Sequence, residues 1–448
     1  MFDTHDTIAA PATASGGAVA MIRISGPEAI AVCDRIFRGS ARLADTPAYT
    51  VRFGRITDGG RTVDEVLATV FRAPRSYTGE DSVELSCHGS SYVVSEILRL
   101  LHAAGARTAE PGEFTARAFL AGKMDLAQAE AVADLIASSS RASHALATAQ
   151  MRGGFSDDLH ALRDRLLHLA SLLELELDFS EEDVEFADRT QLRGVMEEIG
   201  AKLDTLCRSF SLGNALKQGV GVAIVGAPNA GKSTLLNRLL GEERAMVYDI
   251  AGTTRDAIEE TLDIDGVLFR FIDTAGLRRT DDRLERMGIE RTLAAAARAR
   301  IILRVTDAAD DAAASPPLLP PLRDDQRLIE AINKIDRCSR LTLPAGALGI
   351  SARDGIGIDA LRRALRDAVD TEALYHGDTV VSTARHYNAL ASARAALDRA
   401  LAALCAGRPA DLLSEELHHV LHHLGTITGE ITTDEILGNI FSKFCIGK

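Results

Sequence analysis

Gly226-Ala227-Pro228-Asn229-Ala230-Gly231-Lys232-Ser233 fits the spacing G-x-x-x-x-G-K-[ST]. An apolar run, Val220 to Val225, precedes it, and Thr234-Leu235-Leu236-Asn237-Arg238-Leu239-Leu240 reads as a helix after it. Strand, loop and helix in that order aim backbone N–H groups and a helix N-terminus at phosphates. The expected phosphate-side contacts are Asn229, Ala230, Gly231, Lys232, Ser233 and Thr234, with Lys232 reaching the outer phosphates and the Ser233 hydroxyl ligating Mg²⁺. This loop alone specifies only a nucleoside triphosphatase.

Four further signals follow in order: Thr253-Thr254, Asp273-Thr274-Ala275-Gly276, Asn333-Lys334-Ile335-Asp336 and Ser351-Ala352-Arg353. Asp273 follows an apolar strand, Leu268 to Ile272, so its carboxylate can hold the metal through water, and the Gly276 N–H can meet the γ-phosphate. Asn-Lys-x-Asp after a strand over Arg327–Ile332 reads guanine. The Asp336 carboxylate accepts from N1–H and the 2-amino group, which adenine cannot offer. One short match is weak. Five in order point to a GTP-binding, GTP-hydrolysing domain. In Ras-type enzymes a glutamine after Asp-x-x-Gly positions the attacking water. Here that position is Leu277, which cannot, so the group that does so is sought in the charged segment Arg278 to Glu285.

The elements around these loops imply several domains. At 448 residues the chain has room for two to four. Residues 1 to about 120 alternate short strands (Ala18–Ile24, Ala48–Ile56, Glu65–Phe71) with turns and a helix across Ser90–Ala104, an α+β pattern. From about Asp125 the texture becomes long Ala/Leu-rich helices. Leu159, Leu162, Leu166, Leu169 and Leu173 repeat at 3-4 spacing, read as an ordinary core face rather than a coiled coil. Near Gly213 strands resume and alternate with helices as a doubly wound sheet does, and from Ala384 helices return. The expected domains are 1–122 (α+β), 123–213 (helical, first half), 214–374 (an inserted Ras-like P-loop GTPase) and 375–448 (helical, second half).

Composition limits the function classes. The net charge of −14 argues against coating nucleic acid through the overall field, though a local basic patch remains possible. Six cysteines without C-x-x-C spacing suit reduced thiols in a cytosol. No signal-peptide pattern and no membrane-length apolar run occurs, so a soluble, cytoplasmic protein is expected. His418, His419, His422 and His423 contain two i, i+4 pairs, read as helix surface ahead of a metal site; the acidic stretch Glu174 to Asp188 reads as a solvated helix end and loop and a weak metal candidate.

The chain resembles, over essentially its whole length, the tRNA-modification GTPase family called MnmE or TrmE. The resemblance rests on Ile22-Arg23-Ile24-Ser25-Gly26, Tyr77-Thr78-Gly79-Glu80-Asp81, Pro111-Gly112-Glu113-Phe114, Lys123-Met124-Asp125-Leu126-Ala127-Gln128-Ala129-Glu130-Ala131 and the end Phe444-Cys445-Ile446-Gly447-Lys448. It implies a homodimer that, with the FAD-dependent MnmG (GidA) protein in a heterotetramer or larger complex, installs an aminomethyl-type group on C5 of a tRNA wobble uridine. A tetrahydrofolate derivative, 5-formyl or methylene, would supply the one-carbon unit. The matching folate positions are Arg23, Glu80, Lys123 and Lys448, and Cys445 matches a cysteine considered as a catalytic thiol. The resemblance also implies K⁺ activation, with the K⁺ ligands at Asn229, Tyr248, Ile250 and Thr253, Thr254 completing Mg²⁺, and Glu285 orienting water. Tyr248 departs from the smaller residue common there. A ribosome-assembly GTPase is the alternative, but it should carry a basic RNA-binding appendage; a signalling switch would need neither folate site nor Cys445.

Overall fold

The computed structural model describes residues 5–14, 16–178, 189–241, 260–272, 293–309, 321–338, 342–369, 379–442 and 444–447. The chain divides into two compact units, Met1–Ala133 with Leu424–Lys448, and Asp134–His423.

The first unit is built on a seven-stranded sheet in the order β3-β4-β5-β6-β2-β1-β7. Its strands are β1 Ile8–Pro11, β2 Val19–Ser25, β3 Phe37–Gly39, β4 Thr50–Asp58, β5 Arg61–Phe71, β6 Ser82–His88 and β7 Arg107–Thr108. Period-2 patterning decides which face is covered. Ala20, Ile22 and Ile24 of β2 are buried with Val66, Ala68 and Val70 of β5 against Ile97 and Leu101 of helix Ser91–Ala103. Gly59 (φ +53) and Gly60 (φ +94) make the tight β4–β5 turn, where two left-handed residues match the strand twist. The strands expected over Ala18–Ile24, Ala48–Ile56 and Glu65–Phe71 and the helix over Ser90–Ala104 are present, with ends shifted by up to four residues.

The C-terminal tail folds onto this unit. Helix Asp434–Phe441 is capped by Thr433, whose hydroxyl accepts from Ile436 N–H at 3.3 Å. Ile440, Phe441 and Phe444 pack with Ala116, Leu126 and Ala129. Gly447 (φ +97) lies so close to β1 that a Cβ there would meet the Pro11 carbonyl oxygen at 2.1 Å.

Asp6, Arg107, Glu113 and Arg117 form a charged network. Arg117 and Glu113, both buried, pair at 2.9 Å, and Arg107 reaches Glu113 at 2.6 Å. Asp6 pairs with Arg107 and Arg117. Burial alone would raise the carboxyls of Asp6 and Glu113, but the hydrogen bonds and charges of Arg107 and Arg117, with the Glu110 N–H on Glu113, outweigh it and hold both below the usual range. A depressed folded pKa contributes stability that is complete above the unfolded value, about 4, and is lost as pH falls through the folded one. Thermal midpoints of the full chain should therefore drop steeply with acid below about pH 4, and Glu113→Gln should flatten that slope. Parallel profiles for the two proteins would count against this account.

The second unit holds helices Arg141–Met151, Gly154–Asp178, Arg189–Gln218 and Ala384–Cys405 and a six-stranded sheet ordered β13-β12-β11-β8-β10-β9. The strands are β8 Val220–Val225, β9 Glu260–Ile264, β10 Val267–Phe271, β11 Ile301–Asp307, β12 Arg327–Asn333 and β13 Leu348–Gly349. All neighbours pair parallel except β9 and β10. That hairpin was not expected. Asp265 (φ +53) and Gly266 (φ +83) form its turn, which shifts β10 one residue earlier than the expected Leu268–Ile272. The five leucines of the 3-4 repeat are all buried. The helices before and after the sheet meet: Phe210 stacks on Tyr387 at 4.7 Å and Arg394 binds Asp204 at 3.0 Å. A Cβ on Gly213 would meet the Val381 carbonyl oxygen at 2.1 Å, so a helix residue without a side chain lets the segment before helix Ala384–Cys405 close in.

Candidate nucleotide-binding site

Every strand on which this site depends ends at the same edge of the parallel sheet, where β8, β12 and β13 hand over to loops. Gly226 leaves β8 at φ +153, and a Cβ there would stand 2.1 Å from the Val305 carbonyl oxygen. Asn229 adopts φ +64 and is exposed. Gly231 (φ +93) passes so near Asn333 that a Cβ would meet its Nδ2 at 2.2 Å. Lys232 then opens helix Lys232–Gly241, with Ser233 half-buried and Thr234 exposed.

Lys232 Nζ donates to the carbonyls of Gly226 and Ala227, both at 2.8 Å, so the loop wraps its own lysine. Burial pushes its ammonium below the usual lysine range. A cation desolvated among carbonyl dipoles is stabilised by an arriving anion. That chemistry fits a phosphate.

Asn333 is the hub. Its side chain is buried; Nδ2 donates to the Ala230 carbonyl at 2.8 Å and Oδ1 accepts the Ala352 N–H at 3.0 Å. One amide thus ties the Gly226–Ser233 loop to the Ser351–Arg353 loop. Lys334, in the left-handed region at φ +66, places Nζ 2.6 Å from Asp307 Oδ2 at the end of β11. Burial would raise the Asp307 carboxyl, but Lys334, the Ala309 N–H and Arg337 hold it low. Asp336 stands exposed on a short 3-10 turn, Ile335–Arg337. Ser351 exchanges hydrogen bonds with Asp354, its Oγ donating at 3.1 Å and accepting the Asp354 N–H at 3.2 Å, while Arg353 is exposed. Asp307 was not anticipated; a carboxylate closing the strand Ile301–Asp307 was its only trace in the sequence.

Tyr248, Ile250, Thr253, Thr254, Asp273, Thr274, Ala275, Gly276 and Glu285 lie outside the described residues, as does Lys448. Of the expected metal ligands, Asn229 and Ser233 are described.

In the first unit three expected folate positions come together. Arg23 and Ser25 share one face of β2. Arg23 binds Glu84 at 2.9 Å, and its guanidinium lies 5.1 Å from the Tyr77 ring centre and 5.7 Å from that of Phe114. Ser25 donates to Glu80 Oε2 at 2.7 Å, and Arg117 reaches Glu80 Oε1 at 3.1 Å. The Lys123 stem runs within 3.6 Å of where a Gly79 Cβ would be, and its Nζ donates to the Pro74 carbonyl at 2.9 Å. Cys445 is exposed, with its carbonyl 3.5 Å from the Gly112 N–H, and Gly447 sits on Pro11, which pairs with Ile22 beside Arg23. A carboxylate has about four acceptor sites, so Glu80 can still take a donor edge such as a pterin's. Sequence reasoning missed Arg117, the buried arginine that orients Glu80; it lies just past the Pro111–Phe114 motif.

The histidine cluster lies on helix Ala410–Thr428. His418 pairs with Glu174 at 3.1 Å and His419 with Glu416 at 3.5 Å. Burial, then His422, His419 and Arg399, lower His423. Among the described residues no three ligating side chains converge as a metal site would need.

Two family models match the chain: the GTP-binding protein TrmE N-terminus over residues 7–123 and the MnmE helical domain over residues 126–445. A Cytophaga hutchinsonii protein named tRNA modification GTPase MnmE is 50% identical over 453 residues, spanning 99% of this chain and 98% of that protein. A Bacteroides fragilis protein of the same name is 49% identical over 463 residues, spanning 99% and 100%. Among solved structures, the GDP·AlF4⁻ complex of an Aquifex aeolicus Era variant is 28% identical, covers 39% of this chain and 65% of that one, and has a TM-score of 0.26. The two family models and the two full-length relatives, with the P-loop at the end of β8, describe a GTP hydrolase: the chain belongs to the tRNA modification GTPase MnmE family.

Proposed function

We propose that this GTPase is activated by K⁺ and, with a flavin-dependent partner, modifies C5 of a tRNA wobble uridine with a folate one-carbon unit. The observation that carries the hydrolytic half is Asn333, which joins the lysine-bearing loop to the Ser351–Arg353 loop. In this reading Asn229 through Thr234 hold the phosphates, Asp336 reads guanine, and Ser351, Ala352 and Arg353 flank the base. Ser233 and Thr254 would hold Mg²⁺; Asn229, Tyr248, Ile250 and Thr253 would hold K⁺. Glu285 would orient the attacking water, and Asp273 to Gly276 would serve the metal and the γ-phosphate.

The synthetic half is supported by the convergence of Arg23, Glu80 and Lys123 and by the tail that Gly447 seats on β1. Glu80 would accept from the pterin's amino edge, Arg23 and Lys123 would meet the folate's carbonyls or the carboxylates of its glutamate tail, and Lys448 is the fourth proposed folate position. Bound folate supplies the one-carbon unit. Cys445, exposed near the same strand, is the proposed thiol. The proposed domain limits are 1–122, 123–213, 214–374 and 375–448, and the protein acts in the cytoplasm as a homodimer; no described helix is long and apolar enough to cross a membrane.

The test is wobble-nucleoside analysis of tRNA from cells lacking this protein, complemented with the intact chain or with Glu80→Ala. Loss of the C5 substituent without the protein, restored only by the intact chain, is expected. An unchanged nucleoside profile would reject the synthetic half and leave GTP hydrolysis standing.

A further inference from the structure

The two halves of the nucleotide site come from separate strands: the phosphate-side loop after β8 and the Ser351–Arg353 loop after β13. Asn333 ties them through the N–H of Ala352. The carbonyl side of the same loop is held from another direction. Arg238, half-buried on the second turn of helix Lys232–Gly241, donates Nε–H to the Ala352 carbonyl at 3.1 Å and Nη2–H to the Arg353 carbonyl. A planar guanidinium offers two parallel N–H groups along one edge, and two successive carbonyls match that fork. A lysine ammonium has no such edge.

The helix that carries Arg238 is also the one whose first residue is Lys232. One helix thus links the phosphate-side loop, which ends at Lys232, to the loop beside the base, which Arg238 holds. Helix Ile358–Asp367, which follows the base-side loop, adds a strut in the opposite sense: Arg362 Nη2 donates to the Leu239 carbonyl at 3.3 Å.

We propose that Arg238 is a positioning residue for guanine-nucleotide retention: it clamps the carbonyl face of the Ser351–Arg353 loop to the phosphate-side helix, so the base and phosphate halves of the site open and close together. Arg238 touches neither base nor phosphate in this scheme; it acts through the loop it holds. The proposal rests on the reading of Ser351–Arg353 as the base-side loop.

The experiment measures release of a fluorescent GDP analogue and steady-state GTP hydrolysis by the full chain. Arg238→Ala should speed release and weaken GDP binding about tenfold, which is about 1.4 kcal/mol. KM should rise in step, with kcat at saturating GTP changed less than about twofold, because the clamp is the same in ground and transition states. The nucleotide-free melting temperature should hold. Arg238→Lys should recover less than half of the lost affinity, since one ammonium cannot span both carbonyls. Asp336→Asn is the control for the base side: its amide suits xanthine's 2-oxo group, so preference should move from GTP to XTP. Unchanged release in Arg238→Ala, with the Asp336→Asn switch intact, overturns the clamp alone. Failure of that switch overturns the base-side reading itself. A fall in kcat together with a lowered apo melting temperature would show a purely structural role, and that also overturns the proposal.

Discussion

Lys232→Ala should lower kcat/KM for GTP about a thousandfold, the scale seen when a preorganised charge on a transferring phosphoryl group is removed. The argument starts from the resting loop. Lys232 is desolvated, its Nζ is held by the Gly226 and Ala227 carbonyls, and its charged form is disfavoured by burial. An ammonium kept in that condition gives up little hydration when a phosphate arrives, so its field acts at nearly full strength on developing charge. The same logic predicts the stability of the variant. Removing a cation that burial penalises should leave the apo melting temperature unchanged or raise it, as happens where function is maintained at the expense of stability. Phosphate release assayed beside an apo thermal melt reads both effects. A variant that hydrolyses GTP within tenfold of the parent, or that melts many degrees lower, would place Lys232 in the scaffold instead.

How much of this was legible depended on whether a residue's role is local. The Gly226–Ser233 loop could be read because its function resides in consecutive residues: glycines at φ +153 and +93 for close backbone approach, then a lysine opening a helix. Period-2 burial likewise announced β2 and β5, and the leucine repeat of helix Gly154–Asp178 announced a buried face. The β9–β10 hairpin had a signal that was passed over, since Asp265-Gly266 is a favoured two-residue turn, and the antiparallel edge strand follows from it. Other roles had no local signal at all. Arg117 reads as an ordinary helix residue until the fold brings Asp6, Glu80 and Glu113 around it. Asp307 and Lys334 lie 27 residues apart, and Arg238 and Arg353 lie 115 apart. Such pairs are created by the parallel crossovers of the sheet, which a window on the sequence cannot span.

The substitution at Leu277 has the broadest consequence for the hydrolytic step. Leu277 cannot position the attacking water, a role the proposal gives to Glu285; positive charge beside the β- and γ-phosphates is a separate need, which in the proposed mechanism K⁺ would meet where other GTPases use an arginine finger, with Asn229 among the residues that would hold it. The chain's own geometry bears on this through Asn229, which is exposed and held at φ +64, a backbone conformation asparagine tolerates better than most side chains. An arginine finger in the corresponding place is worth about 10³–10⁵ in kcat. A spherical monovalent ion lacks the guanidinium's hydrogen bonds, so a smaller gain, about tenfold to a hundredfold over Na⁺ at equal ionic strength, is the expected result. Asn229→Ala should abolish the difference between the two salts while leaving GDP affinity in Na⁺ near normal, because the side chain would act on the ion and the loop's N–H groups on the phosphates. Equal rates in K⁺ and Na⁺ would remove Asn229 from the mechanism, and the charge at the transition state would then have to be sought among the chain's own cations.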